Sequence, residues 1–290
     1  MKLILGGVRG TNSVAQPDFQ KYGGETTSFL VEGERGEHLL IDAGTGVRSL
    51  GQRLDQTSTT RSVLLLMTHY HLDHITGLAS FAPLYSPHWS IQIASPVREG
   101  FRIEEVMPRL LDRPFWPIQI DDLESHVHFG TLDGESSRAP VQYGGFEIRW
   151  CPLPHPGGST AYRIDEPLTG SSVVIATDME WALATAEQQR GFLKLCREPG
   201  PVGLLLMDGQ YAPDEYPQHK GWGHSTWVEG VEIARQVGAA KFLVTHHSPD
   251  NKDDRLDAIE REMKEKAPFT ALAKQGMEIS VTPRKDQRQQ

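Results

Sequence analysis

The chain has 290 residues, with 38 acidic side chains against 29 basic ones, a formal charge of −9, 12 histidines and two cysteines. Hydrophobic residues make up 38% and glycine contributes 28 positions, an apolar fraction near that of ordinary globular domains, which sets disordered and collagen-like classes aside. Mean hydropathy is −0.42, no apolar run approaches the ~18 to 20 residues of a membrane span, and an acidic chain lacks the broad basic face that grips nucleic acid by neutralising phosphates.

One domain over residues 1–290 is expected, ending in a polar tail at 283–290. The start, Met1 to Gly10, is too short in apolar residues for a signal peptide and reads as a first strand. Cys151 and Cys196 are isolated thiols that suit a reducing compartment, so the cytoplasm is the expected location. Short apolar runs follow, each leading into a polar residue: Leu39 to Ile41 into Asp42, Val63 to Met67 into Thr68 and His69, Val173 to Ala176 into Thr177 and Asp178, Leu204 to Met207 into Asp208, and Phe242 to Val244 into Thr245 and His246. Continuous apolar runs of that length suit strands buried on both faces. Helices are expected over Gly44 to Leu54, Glu187 to Arg197, Ser225 to Val237 and Asp253 to Lys264, with Ser225 and Asp253 as N-caps. Pro96 to Gln142 reads as a loop-rich excursion with one helix. Ligands gather at the C-terminal ends of strands in open α/β sheets, so five runs ending in Asp or His point to one shared active edge.

The segment Thr68 to Gly77, THYHLDHITG, sets His69, His71, Asp73 and His74 directly after a buried strand. Residues two apart in an extended turn point the same way, so His69 and His71 can grip one ion, while Asp73 and His74 turn toward a second. Imidazole with carboxylate suits Zn²⁺, Mn²⁺ or Fe²⁺; Ca²⁺ or Mg²⁺ would ask for oxygen ligands almost alone.

Through this HxHxDH pattern the chain resembles the metallo-β-lactamase superfamily, nearly end to end. The resemblance implies an α/β (α+β) fold, a four-layer αββα sandwich, with two divalent metal ions at the sheet edge, zinc first and Mn²⁺ or Fe²⁺ as alternatives. It matches His155 in PLPHPGGST to the third histidine and Asp178 in IATDME to the carboxylate that serves both ions. LVTHHSP offers two candidates for the final ligand; strand alternation sends them to opposite faces, and the resemblance favours His246, leaving His247 to touch substrate. A hydroxide between the two ions would be the nucleophile.

GWGHSTW resembles the HST loop of ribonuclease Z-like phosphodiesterases. That implies His224 as proton donor, Asp208 as the carboxylate that orients it, and Ser225 beside substrate, with Asp73 counted among the catalytic groups. YGGETTSFLVE resembles the opening of the same branch and places Tyr22 and Gly23 in the pocket. The interval from His155 to Asp178 is too short for the tRNA-gripping insertion of ribonuclease Z, so the expected substrate is a small or cyclic phosphodiester, and long structured RNA is not expected as a partner. A homodimer is compatible with the sequence. The competing readings are a lactone, ester or thioester hydrolase on the same ions, and a metal-binding sensing module without turnover.

Overall fold

A computed structural model describes residues 1–132 and 139–281; the expected tail at 283–290 lies outside them. The first half of the chain builds β1 (Lys2–Gly7), β2 (Ser28–Glu32), β3 (His38–Ile41), α1 (Val47–Thr57), β4 (Ser62–Leu66), α2 (Leu72–Ile75), β5 (Ser90–Pro96), α3 (Ile103–Leu110) and β6 (His126–Leu132). The second half builds β7 (Val141–Tyr143), β8 (Phe146–Leu153), β9 (Ser159–Glu166), β10 (Ser171–Ala176), α4 (Ala186–Arg197), β11 (Leu204–Asp208), α5 (Tyr216–His219), α6 (Trp227–Val237), β12 (Lys241–Thr245), α7 (Asp253–Lys266), β13 (Thr270–Leu272) and β14 (Glu278–Ser280). The strands form two seven-stranded sheets, ordered β14-β1-β2-β3-β4-β5-β6 and β13-β12-β11-β10-β9-β8-β7. Strands β3 to β6 run parallel, as do β10 to β13.

The period of two along each strand explains the continuous apolar runs. Val173 and Ile175 of β10 and Leu204 and Leu206 of β11 enter the core between the sheets, where they meet Leu3, Phe29, Leu39 and Leu64 of the first sheet. Their neighbours Val174, Ala176, Leu205 and Met207 face the other way, against Phe192 of α4, Val231 of α6 and Leu256 of α7. On the far side of the first sheet, Leu40 and Leu65 pack on Leu50 and Leu54 of α1 and Met107 of α3. The molecule is therefore a four-layer α/β/β/α sandwich, each fully buried Leu or Val contributing roughly 1.5 to 3 kcal/mol.

Helix ends follow local chemistry. α6 begins one residue later than Ser225 suggests: Thr226 is the N-cap, in a reciprocal box with Glu229, and the helix stops at Gly238 with φ 66°. α7 begins at Asp253 itself, after Lys252. The stretch expected as loop with one helix contains an unforeseen strand. β6 pairs with β5 along its whole length, and α3 supplies the expected helix.

At one end the two sheets are joined by main chain. His247 N–H donates to Val8 O at 2.9 Å, and Gly10 N–H donates to His247 O at 3.0 Å. The buried Arg9 between them donates to the carbonyls of Gly23, Ser248 and Asn251. Tyr162 of β9 adds a second tie, its hydroxyl donating to Met67 O at 2.7 Å.

Candidate metal centre

Every residue of the centre leaves the C-terminal end of a strand or the turn just beyond it. His69, His71, Asp73 and His74 follow β4, His155 follows β8, Asp178 follows β10, Asp208 closes β11, and His246 follows β12. Three strand-end residues hold left-handed backbone: Asp42 (φ 60°), Asp178 (φ 49°) and His246 (φ 61°). For residues with a Cβ this costs on the order of 1 to 3 kcal/mol each, a strain that the surrounding fold must impose.

The side chains gather in two sets. Donor atoms of His69, His71, His155 and Asp178 lie within 4.8 Å of one another, and so do those of Asp73, His74, Asp178 and His246. Asp178 divides its oxygens between them. Its Oδ2 lies 3.6 Å from His69 Nε2 and 3.7 Å from His155 Nε2; its Oδ1 lies 3.1 Å from His74 Nε2 and 3.3 Å from His246 Nε2. Asp73 Oδ2 lies 3.2 Å from both His74 Nε2 and His246 Nε2.

Outer partners fix the imidazoles. His74 Nδ1–H donates to Asp42 Oδ2 at 2.7 Å, His155 Nδ1–H to Gly223 O at 2.9 Å, and His246 Nδ1–H to Gln210 Oε1 at 2.9 Å. His69 Nδ1 contacts Thr68 Oγ1 at 3.0 Å, and that hydroxyl donates onward to Asp42 Oδ2 at 2.8 Å. These acceptors place the proton on Nδ1, so the Nε2 lone pairs of four histidines converge inward.

This arrangement fits divalent ions. His69 Nε2 and Asp178 Oδ1 are buried with no hydrogen-bond partner, and inward-facing ring nitrogens approach each other at 3.0 Å (His155 Nε2 to His71 Nδ1) and 3.3 Å (His246 Nε2 to His74 Nε2). A tetrahedron with metal–nitrogen bonds of ~2.0 to 2.1 Å has an edge of about 3.3 Å. Burial lowers His69 and His155 from the ordinary imidazole range, and partial desolvation lowers the more exposed His71, which favours the neutral form that ligates. Burial would raise Asp178, but His246, His74 and His69 hold its carboxyl well below the usual range. Burial likewise opposes charge on His74, yet Asp178, Asp73 and Asp42 drive it well above its usual range, which marks a place that demands positive charge.

His224 lies against this centre, stacked on His246 at 4.8 Å between ring centroids and edge-on to His155 at 5.3 Å. Its Nδ1 donates to Asp208 Oδ2 at 2.9 Å, and although burial pulls its pKa down, Asp208 pushes it up to about 9. Asp208 is in turn held by the amides of Met179 and Gln210.

The residues expected to touch substrate are placed otherwise. Tyr22 is fully buried and its hydroxyl donates to Asp257 and Glu260 of α7. Gly23 gives its carbonyl to Arg9 and faces Gln275. Ser225 donates to Met179 O, and His247 Nε2 donates to Ala273 O from a fully enclosed position. All four thus have their polar groups engaged within the fold. Sequence reasoning also missed Glu180. Its carboxylate accepts from Gly221 N (2.7 Å), Gly223 N (2.8 Å) and the Tyr216 hydroxyl (2.7 Å), and so fixes the loop that carries His224 and holds His155. A side chain at Gly223, where φ is 94°, would bring its Cβ within 2.1 Å of His155 Nδ1.

Residues 37–247 match the family model described as Beta-lactamase superfamily domain. A ribonuclease Z of Methanopyrus kandleri is 22% identical over 262 residues, spanning 85% of this chain and 88% of that protein. Two solved structures share the fold: human tRNase Z, short form (TM-score 0.66, 19% identity, 97% of this chain and 99% of that one), and a diphosphatase from the PhnP family (TM-score 0.67, 18% identity, 98% and 99%). The relatives overturn one expectation. A small-molecule substrate and the exclusion of long structured RNA rested on a short interval and on net charge, yet the full-length relatives are ribonucleases. Net charge says nothing of a local surface, and the lack of one insertion does not exclude RNA.

Proposed function

The chain belongs to the β-lactamase superfamily, and from that premise we propose that it is a metal-dependent phosphodiesterase, with RNA as the substrate class its relatives favour. His69, His71, His155 and Asp178 would hold one divalent ion and Asp73, His74, Asp178 and His246 a second, zinc first, with Mn²⁺ or Fe²⁺ as alternatives. When bound, such ions supply Lewis acidity and water deprotonated near neutral pH.

The protein's own groups do the rest. Hydrolysis forms a bond from a water oxygen to phosphorus and breaks the bond to an alkoxide, which leaves slowly unless it receives a proton. His224 would give that proton. With Nδ1 committed to Asp208, its Nε2 holds the transferable proton, and Asp208 keeps the ring oriented and charged before transfer. The observation that carries the reading is this Asp208–His224 pair stacked directly on His246, a group that ion binding alone does not require.

The test is His224→Ala. Hydrolysis of a short RNA should fall by about 10² to 10⁴ in kcat with two ions per chain retained, whereas bis(p-nitrophenyl) phosphate, whose p-nitrophenoxide leaves without a proton, should fall far less. Undiminished RNA cleavage would remove the proposed donor.

A further inference from the structure

Beside the centre lies a cavity of about 150 Å³ that His69 and His71 share with Tyr70, Gly157, Gly158 and the turn Arg98 to Phe101. Its size suits one group of a larger ligand, since whole-ligand pockets run to roughly 300 to 1,000 Å³. The turn is rigid. Arg98 N–H donates to Phe101 O at 3.0 Å and Phe101 N–H to Arg98 O at 2.7 Å, with Glu99 (φ 48°) and Gly100 (φ 85°) both left-handed, as a two-residue hairpin of this kind requires. Residues paired across such a turn project to the same side, so Arg98 and Phe101 act as neighbours.

Arg98 is short of an anion. Its Nε is buried without a hydrogen-bond partner, and burial lowers its pKa with Tyr162, Tyr70 and Cys151 as the groups acting on it, none of them a carboxylate. Glu99 is exposed at the tip of the turn, where water screens its charge. A half-buried guanidinium whose Nε is unpartnered and that has no carboxylate beside it is less favourable in the free protein than when a ligand brings an oxyanion. Phe101, 47% exposed, offers a flat apolar face next to it.

We propose that Arg98 and Phe101 form the subsite for the nucleotide next to the scissile bond, Arg98 taking its phosphate and Phe101 stacking on its base. The proposal rests on the phosphodiesterase reading of the neighbouring centre and adds a specificity to it: substrates with a second phosphate beside the one attacked are preferred.

The dinucleotide ApA, compared with pApA and ApAp on the metal-loaded protein, tests this. The wild type should favour one of the terminally phosphorylated forms by about tenfold or more in kcat/KM. Arg98→Gln should bring that ratio to about one, and Arg98→Lys, which keeps the charge without the fork, should keep part of it. No preference in the wild type, or a preference that survives Arg98→Gln, overturns the subsite. If no dinucleotide is cleaved, the phosphodiesterase reading fails by itself, and equilibrium binding of the same three compounds decides the subsite. A Kd advantage of about tenfold lost in Arg98→Gln supports it, and equal Kd values overturn it.

Discussion

Asp42 touches no proposed ion, yet replacing it with asparagine should loosen the centre. Its Oδ1 accepts from Thr68 N at 2.7 Å, and its Oδ2 accepts from both His74 Nδ1 (2.7 Å) and the Thr68 hydroxyl (2.8 Å), through which it also stands behind His69. Asparagine has the same shape, but if its oxygen serves Thr68 N, its amide hydrogens face two donors. His74 must then either lose its partner or shift its proton to Nε2, the atom that faces Asp73 and Asp178. A hydrogen bond to a buried charged group is worth ~1.5 to 3 kcal/mol. Independently, loss of an outer partner of a metal-binding histidine weakens affinity about 10- to 100-fold, or roughly 1.4 to 2.8 kcal/mol. The two routes agree. Zinc titration against a chromophoric chelator, with circular dichroism to confirm the fold, should show the ion held by Asp73, His74 and His246 weakened by that factor and the other ion weakened less. Two ions held as tightly as in the wild type would refute this role of Asp42.

Gly223→Ala should act on the other ion. The new Cβ meets His155 Nδ1 and its backbone is strained, so zinc bound by His69, His71 and His155 should weaken more than tenfold in the same titration; unchanged affinity would show that the loop moves aside freely. Buried His38, on β3, has a pKa lowered by its burial. The unfolded chain takes up a proton there below about pH 6.5 while the folded chain resists, so stability is lost as pH falls. Denaturant unfolding between pH 7 and 5 should therefore show a smaller loss for His38→Asn than for the wild type, and equal slopes would exclude the effect.

The legible parts of this molecule are those fixed by local pattern. Strands β3, β4, β10, β11 and β12 are apolar on both faces because helices and a second sheet cover them, and the same burial makes their ends conspicuous when an Asp or His follows. β6 was illegible because it alternates exposed and half-buried residues at a sheet edge, where polar side chains are tolerated. The outer partners show the same limit. Gln210, Glu180 and Gly223 reach their histidines or loops across tens of positions, a proximity that no spacing in the sequence encodes. Tyr22 and His247 are expected from their motifs at the pocket, but Arg9, Asp257 and the carbonyl of Ala273 draw that corner inward.

The main-chain seam formed by Val8, Gly10 and His247 closes the sandwich beside His246. A hinge opening between the sheets there would have to break paired backbone groups, leaving polar atoms stranded in an apolar layer. Elsewhere the centre is open: His71 stands exposed to water, and the Arg98 turn lines the adjoining cavity. A ligand coming from that exposed side would meet His71 and the Arg98 turn first.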